Sequence, residues 1–219
     1  MGQLRYMLAK NLTEALNALE PNHSLLFYDH ATSLGAPRVS IIYTFPIALR
    51  HDNNFAQVKM SFPTVQVLPI FRVHTRTGTV NVEAAEMCQQ ILSKRVDRAL
   101  FADGVIETLT ECCGGVPRGL ISLARQACLE AMVDDKPVID QSAVQAAIKS
   151  SRRDYEVLLS RDQIGLLRKI HRTREIDNDE AHRELLHNLS CLEYWNDNVW
   201  YDVHPVVEPL LKGENHEFS

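Results

Sequence analysis

No apolar run in the 219 residues approaches the ~18 that a helix needs to cross a bilayer, and no apolar leader with a small-residue cleavage site opens the chain. From the two absences the expectation is a cytoplasmic protein with no helical membrane span, no secretory leader and no membrane partner. Cysteine is sparse and lacks metal-binding spacing: Cys88, Cys112, Cys113, Cys128 and Cys191 are an odd set with no C-x-x-C pair. They are expected to be reduced core residues rather than a disulfide framework or a zinc site. An excess of positive charge is missing too, because the formal net charge is -5. A general polyanion binder is therefore not expected, although a local basic patch can survive an acidic total. Repeats and low-complexity segments are absent. With 45% hydrophobic and 23% charged residues the chain has the makings of real cores.

What is present is a change of texture along the chain. Leu4, Leu8, Leu12 and Leu16 recur every fourth residue and predict an amphipathic helix that Pro21 and Asn22 end; a short helix follows from about Ser24 to Leu34. Val39 to Phe45 is β-branched and aromatic on both faces, as in a strand of a parallel sheet, and Val65 to Val73 predicts another strand. From Val82 onward the pattern is helical. Ala84, Cys88, Ile91, Leu92, Val96, Ala99 and Leu100 form one stripe, "FADGVIETLTECC" a short helix, Leu120 to Met132 a third, and Asp140 caps a fourth with Val144, Ala147 and Ile148 inward. "SSRRD" (Ser150 to Asp154) predicts a linker. Beyond it, "DQIGLLRKI" and a helix capped by Asn178 precede aromatic strands around Asn196, Asp197 and Asn198.

The stretch "ECCGGVPRGLISLARQA" stands out. Two glycines free the backbone for a tight turn, Pro117 suits a first helical turn where its missing N–H is no loss, and Arg118 is thereby fixed at the helix start. A cation there opposes the helix dipole unless an anion is nearby. A structural role would instead pair Arg118 with a carboxylate such as Glu111.

Two strands, a four-helix unit with G-G-x-P-R at its third helix, and then helix, helix and hairpin: this order resembles the C-terminal half of AAA+ or STAND-type P-loop ATPases, especially origin-binding initiator-type ATPases and their bacterial relatives. The resemblance covers the chain from about Ser24 and is most specific at "ILSKRVDRALFADGVIETLTECCGGVPRGLISLARQACLEAM". It implies an α-rich α/β fold: a remnant of the nucleotide-binding sheet in 1–80, a helical lid in 81–150 and a winged helix in 151–219. It further implies that Arg118 is the second sensor, touching a γ-phosphate, and that Thr44, at the tip of "IIYTFP", is the first. Arg50, with Lys59 behind it, is the nearest candidate for a trans-acting arginine finger.

The departure from that family is as informative. No G-x-x-x-x-G-K-[ST] occurs, and no apolar strand ending in paired carboxylates precedes Thr44; Asp29 stands in a helical context. Without amides around the β-phosphate and a metal to offset charge, phosphoryl transfer loses its main stabilisation. ATP is thus expected as a cofactor only in a complete parent protein, with no catalytic residue and no metal ligand in these residues. The expectation is a chain beginning just after the magnesium-binding strand, ahead of a standalone remnant, that couples nucleotide state to a protein partner or a second copy. The alternative is a non-enzymatic winged-helix DNA-binding protein. Against it, residues 151–219 hold nine Lys/Arg and fourteen Asp/Glu, and the recognition-helix candidate mixes Arg183 and His187 with Asp179, Glu180 and Glu184. The denser basic run is Arg168, Lys169, Arg172 and Arg174. His182 and His187, five apart, do not share a helix face, and His204 is expected to pack at a strand end.

Overall fold

The computed structural model describes residues 27–36, 39–62, 64–195 and 198–212. The predicted helix on Leu4 to Leu16 lies outside them. Two compact units divide the chain, Met1–Val67 and Leu68–Ser219. The boundaries expected near 80 and 150 both fall inside the second unit. Among the described residues, no helix is long and apolar enough to cross a membrane.

In the first unit an aromatic cluster does the packing. Helix α1 (Ala31–Gly35), a 3-10 turn (Ile47–His51) and helix α2 (Phe55–Ser61) bury Leu34, Leu49, Phe55 and Val58 together with Phe27. Phe27 meets Phe45 edge-on at 5.4 Å, and Tyr43 donates its hydroxyl to the Leu34 carbonyl at 2.9 Å. Here the structure departs from the sequence reading. Val39–Phe45 and Val65–Val73 are not strands, and among the described residues the only sheet is the hairpin near the C-terminus. Alternation holds only at the end of the first segment, with Tyr43 and Phe45 turned toward the cluster while Val39, Ile41 and Ile42 are all exposed, and no ladder pairs the backbone. The remnant of a parallel sheet expected in 1–80 is accordingly not formed among the described residues. Side-chain alternation predicts which way residues face; it does not supply a neighbouring strand.

The second unit is helical and follows the expected order. Helix α3 (Val82–Ser93) starts at Asn81, whose side chain accepts from the Ala84 N–H. Helix α4 (Val105–Cys112) starts after Gly104, α5 (Pro117–Val133) has its proline at the first position, and α6 (Gln141–Leu158) is capped by Asp140, which accepts from the Ala143 N–H at 2.9 Å. That amide, then the Ser142 hydroxyl and the Lys136 ammonium, hold the Asp140 carboxyl down to about 2. Leu92, Val105, Leu109, Leu120, Ala127, Val144 and Ala147 fill the centre of this layer, with buried Cys88 and Cys113 among them.

"SSRRD" is not a linker. It contains no Gly or Pro to stop a helix, and α6 runs straight through it. Arg152 donates to the Val206 carbonyl at 3.1 Å, and Tyr155 packs on the central core. Helix α7 (Arg161–Thr173) then opens with a capping box between Ser160 and Gln163, and α8 (Glu180–His187) is capped by Asp179 rather than by Asn178. Strands β1 (Cys191–Trp195) and β2 (Val199–Val203) pair antiparallel, with Tyr194 opposite Trp200 and their rings stacked at 4.4 Å. A 3-10 turn (Glu208–Lys212) follows.

Three segments converge on Gly114 and Gly115. The Phe71 N–H donates to the Gly115 carbonyl at 2.9 Å, and the Tyr194 hydroxyl donates to the Gly114 carbonyl at 3.0 Å. Both glycines have positive φ, 61° and 82°. A Cβ on Gly114 would lie 2.5 Å from Leu192 Cδ1, and one on Gly115 would overlap the Phe71 carbonyl oxygen. Gly104 also has positive φ, 78°, but a Cβ there meets open space. We expect Gly104→Ala to cost about 1–2 kcal/mol for its backbone alone, and Gly115→Ala clearly more because the Phe71 main chain must move as well. Thermal denaturation of the two variants separates the terms; equal falls in midpoint would remove the close approach as the reason for Gly115.

Candidate functional site

Helix α5 begins with little to satisfy its N-terminal charge. Its N-cap, Val116, offers no side-chain acceptor, Pro117 fills the first position, and no acidic residue lies in the first turn. Partial positive charge from the free N–H groups is therefore uncompensated at that end. Arg118 adds a full cation one residue in. It is exposed, and it forms no hydrogen bond or ion pair with the described residues; Glu111, the carboxylate a structural role would use, is not bonded to it.

Arg118 stands at the edge of a cleft of about 280 Å3 between α5 and α6. Ser122 and Gln126 continue its lining on α5, while Ser150, Ser151 and Asp154 face them from α6. These groups offer one guanidinium, three hydroxyls, an amide and one carboxylate: the means to hold an anion by charge and hydrogen bonds. Among the described residues, no base is hydrogen-bonded to the hydroxyl of Ser122, Ser150 or Ser151.

The wall beyond is formed by Tyr155 and His204, whose rings lie 5.8 Å apart. His204 is buried and accepts from the Val206 N–H at Nδ1, which leaves its proton on Nε2. Burial pushes its pKa down to about 4. It is a neutral wall of the cleft at pH 7, packed as the sequence reading expects.

Thr44 is not part of this cleft. It sits in the first unit, exposed between the inward Tyr43 and Phe45. Arg50 lies half-buried in the Ile47–His51 turn and is engaged within the molecule, while the Lys59 ammonium rests over the Phe55 ring at 5.5 Å. Sequence reasoning found Arg118 from its turn chemistry but missed Ser122, Gln126, Ser150, Ser151 and Asp154. The available signal was the polar set at helical spacing on the α5 and α6 faces turned from the core.

Several charged residues of 151–212 are bonded within the molecule. Arg168 donates to the Leu211 carbonyl at 2.9 Å, Lys169 pairs with Asp177 at 2.9 Å, and Arg174 and His171 both engage Asp202. Of the basic run, Arg172 alone is exposed with no such bond among the described residues. His182 is buried beside its own cap: its backbone N–H and its Nδ1 both bond Asp179, at 2.9 and 2.7 Å. Asp177, Asp179 and His182 lie within 4.8 Å of one another, a proximity that the helix cap and the Lys169 pair account for.

No family model matches the chain, and no curated protein or solved structure is measurably similar to it.

Two outcomes follow from this geometry. Arg118→Ala removes an unrewarded cation from the positive end of a helix, so the thermal midpoint is expected to stay level or rise slightly, by at most ~1 kcal/mol of stability. A clear fall would make Arg118 structural. For His204 the folded state binds its proton less readily than the unfolded chain. Its contribution is complete above about pH 6.5 and is lost as pH falls toward 4, on the order of 3 kcal/mol in all. His204→Asn keeps an acceptor for the Val206 N–H but cannot protonate, and denaturant midpoints from pH 7 to 4 should fall less steeply in the variant than in the parent.

Proposed function

We propose that this chain carries the regulatory half of an AAA+ or STAND-type ATPase: a helical lid with Arg118 as its second sensor, followed by a winged helix that passes nucleotide state to a protein partner. The observation that carries the reading is Arg118 itself, an unpaired cation one residue into an uncapped 17-residue helix at a polar cleft. A terminal phosphate is the group that would neutralise both the guanidinium and the helix end. The helix order, four helices and then two helices and a hairpin, agrees with that reading.

The phosphate loop and the magnesium carboxylates needed for hydrolysis are not in these 219 residues. The lid therefore senses a triphosphate bound elsewhere and does not cleave it. Commitment of Arg168, Lys169 and Arg174 to internal partners favours a protein over duplex DNA as the target, since phosphate contacts need free cations.

The test is residue-resolved NMR with ATP and AMP. ATP should perturb Arg118 and the first turn of α5 only at millimolar concentration, consistent with affinity weaker than ~10 μM; AMP should not, Arg118→Ala should abolish the effect, and no hydrolysis should be measurable. Silence at Arg118, or turnover that Arg118→Ala abolishes, would overturn the proposal. Sequence-specific retention of duplex DNA at physiological salt would put the DNA-binding alternative in its place.

A further inference from the structure

The four-helix layer holds a second recess, chemically unlike the Arg118 cleft. It has a volume of about 450 Å3 and lies between the end of α3, the second half of α5 and residues 136–139. Its floor is core: Leu92, Phe101, Ala131 and Ile139 are all more than nine-tenths buried. Its rim is apolar yet open, with Leu100, Ile121, Leu129 and Met132 between 38% and 67% exposed. Single exposed apolar residues need no explanation; several gathered around one concave recess of ligand size between helices do.

The polar content of the lining is almost entirely cationic. Arg95, Arg125 and Lys136 line the recess, and no carboxylate does. Lys136 is already compensated, lying 3.1 Å from both Asp134 and Asp140. Arg95 donates to the Ile91 carbonyl at 2.9 Å, which fixes its guanidinium without cancelling its charge. Arg125 is exposed on α5 and bonds to none of the described residues. The recess therefore combines a dry floor with two uncompensated guanidiniums.

We infer that this recess binds a single-chain anionic amphiphile, an unbranched acyl chain ending in a carboxylate, with the chain on the Leu92 and Ile139 floor and the carboxylate on Arg125 and Arg95. A neutral chain would leave the guanidiniums with nothing to gain, and a cationic head would be repelled. Guanidinium and carboxylate form the matched pair, with two parallel N–H donors facing two oxygens. An acidic amphipathic helix is the competing occupant, but a recess that reaches residues as deep as Leu92 suits a slender chain better than a helix some 10 Å across.

Calorimetric titration with dodecanoate below its micellar concentration tests the site, with dodecanol and dodecyltrimethylammonium as matched controls. One-to-one binding is expected, at least tenfold tighter for dodecanoate than for dodecanol and weakest for the cation. Arg125→Ala, at an exposed position, should weaken the tenfold preference and Arg95→Ala with Arg125→Ala should erase it, with dodecanol binding and the circular dichroism spectrum unchanged. Cys128 also lines the recess, so dodecanoate should slow its alkylation by iodoacetamide in the intact protein, read by mass spectrometry. Absence of saturable binding would overturn the inference, as would equal affinity for acid and alcohol or a tenfold preference that survives removal of both Arg125 and Arg95. Binding of a Leu/Glu amphipathic peptide without dodecanoate would assign the recess to a protein partner instead.

Discussion

Close approach at Gly114 and Gly115 is the constraint on which the second unit depends. The turn must accept the Phe71 main chain on one side and the Leu192 side chain on the other, and it also supplies the carbonyls that the Phe71 amide and the Tyr194 hydroxyl need. Any side chain would push one of these neighbours away. The same turn delivers Pro117 to the first position of α5, so the position of Arg118 is inherited from a packing problem. The glycines serve the fold, and the arginine is what the fold then holds out.

Helix α5 consequently works on several sides at once. Leu120, Leu123, Ala124, Ala127 and Ala131 face the core, Ser122 and Gln126 line the polar cleft, and Ile121, Arg125 and Leu129 border the apolar recess. Steps of three and four residues place each set in register along the helix. Its arginines 118 and 125 remain uncommitted, whereas Arg168 of α7 and Arg174 just beyond it are bonded to Leu211 and Asp202. Where a cation is left free says more here than how many cations there are.

The helices of the second unit were legible chiefly from apolar spacing, and at two of them a start signal agreed with it. Apolar spacing gave the buried face, and Pro117 and Asp140 marked the starts of α5 and α6. The hairpin was legible from aromatic residues flanking a turn. The strands expected at Val39–Phe45 and Val65–Val73 were not secured by the same kind of reading, because β-propensity reports a fit to a half-buried surface and is silent about the partner a ladder requires. The linker expected at Ser150–Asp154 failed for a related reason: polarity was read as looseness, although Arg152 and Tyr155 anchor that turn of α6. Of the site, Arg118 was visible in local turn chemistry. The polar lining of its cleft comes from two helices about 30 residues apart in sequence, and no local pattern announces that meeting.

The unbroken course of α6 has a mechanical consequence. Its 18 residues form a rod roughly 27 Å long. The N-terminal half is built into the four-helix core through Val144, Ala147 and Ile148, and the far half is tied to the post-hairpin segment through Arg152. Such a strut has no elbow at which one end can relax independently of the other. A tilt of about 10° imposed on one end would sweep the far tip through roughly 5 Å, close to the rise of one helical turn, and because Tyr155 and Val206 pack into the same core as Val144 and Ala147, that core must move with the rod.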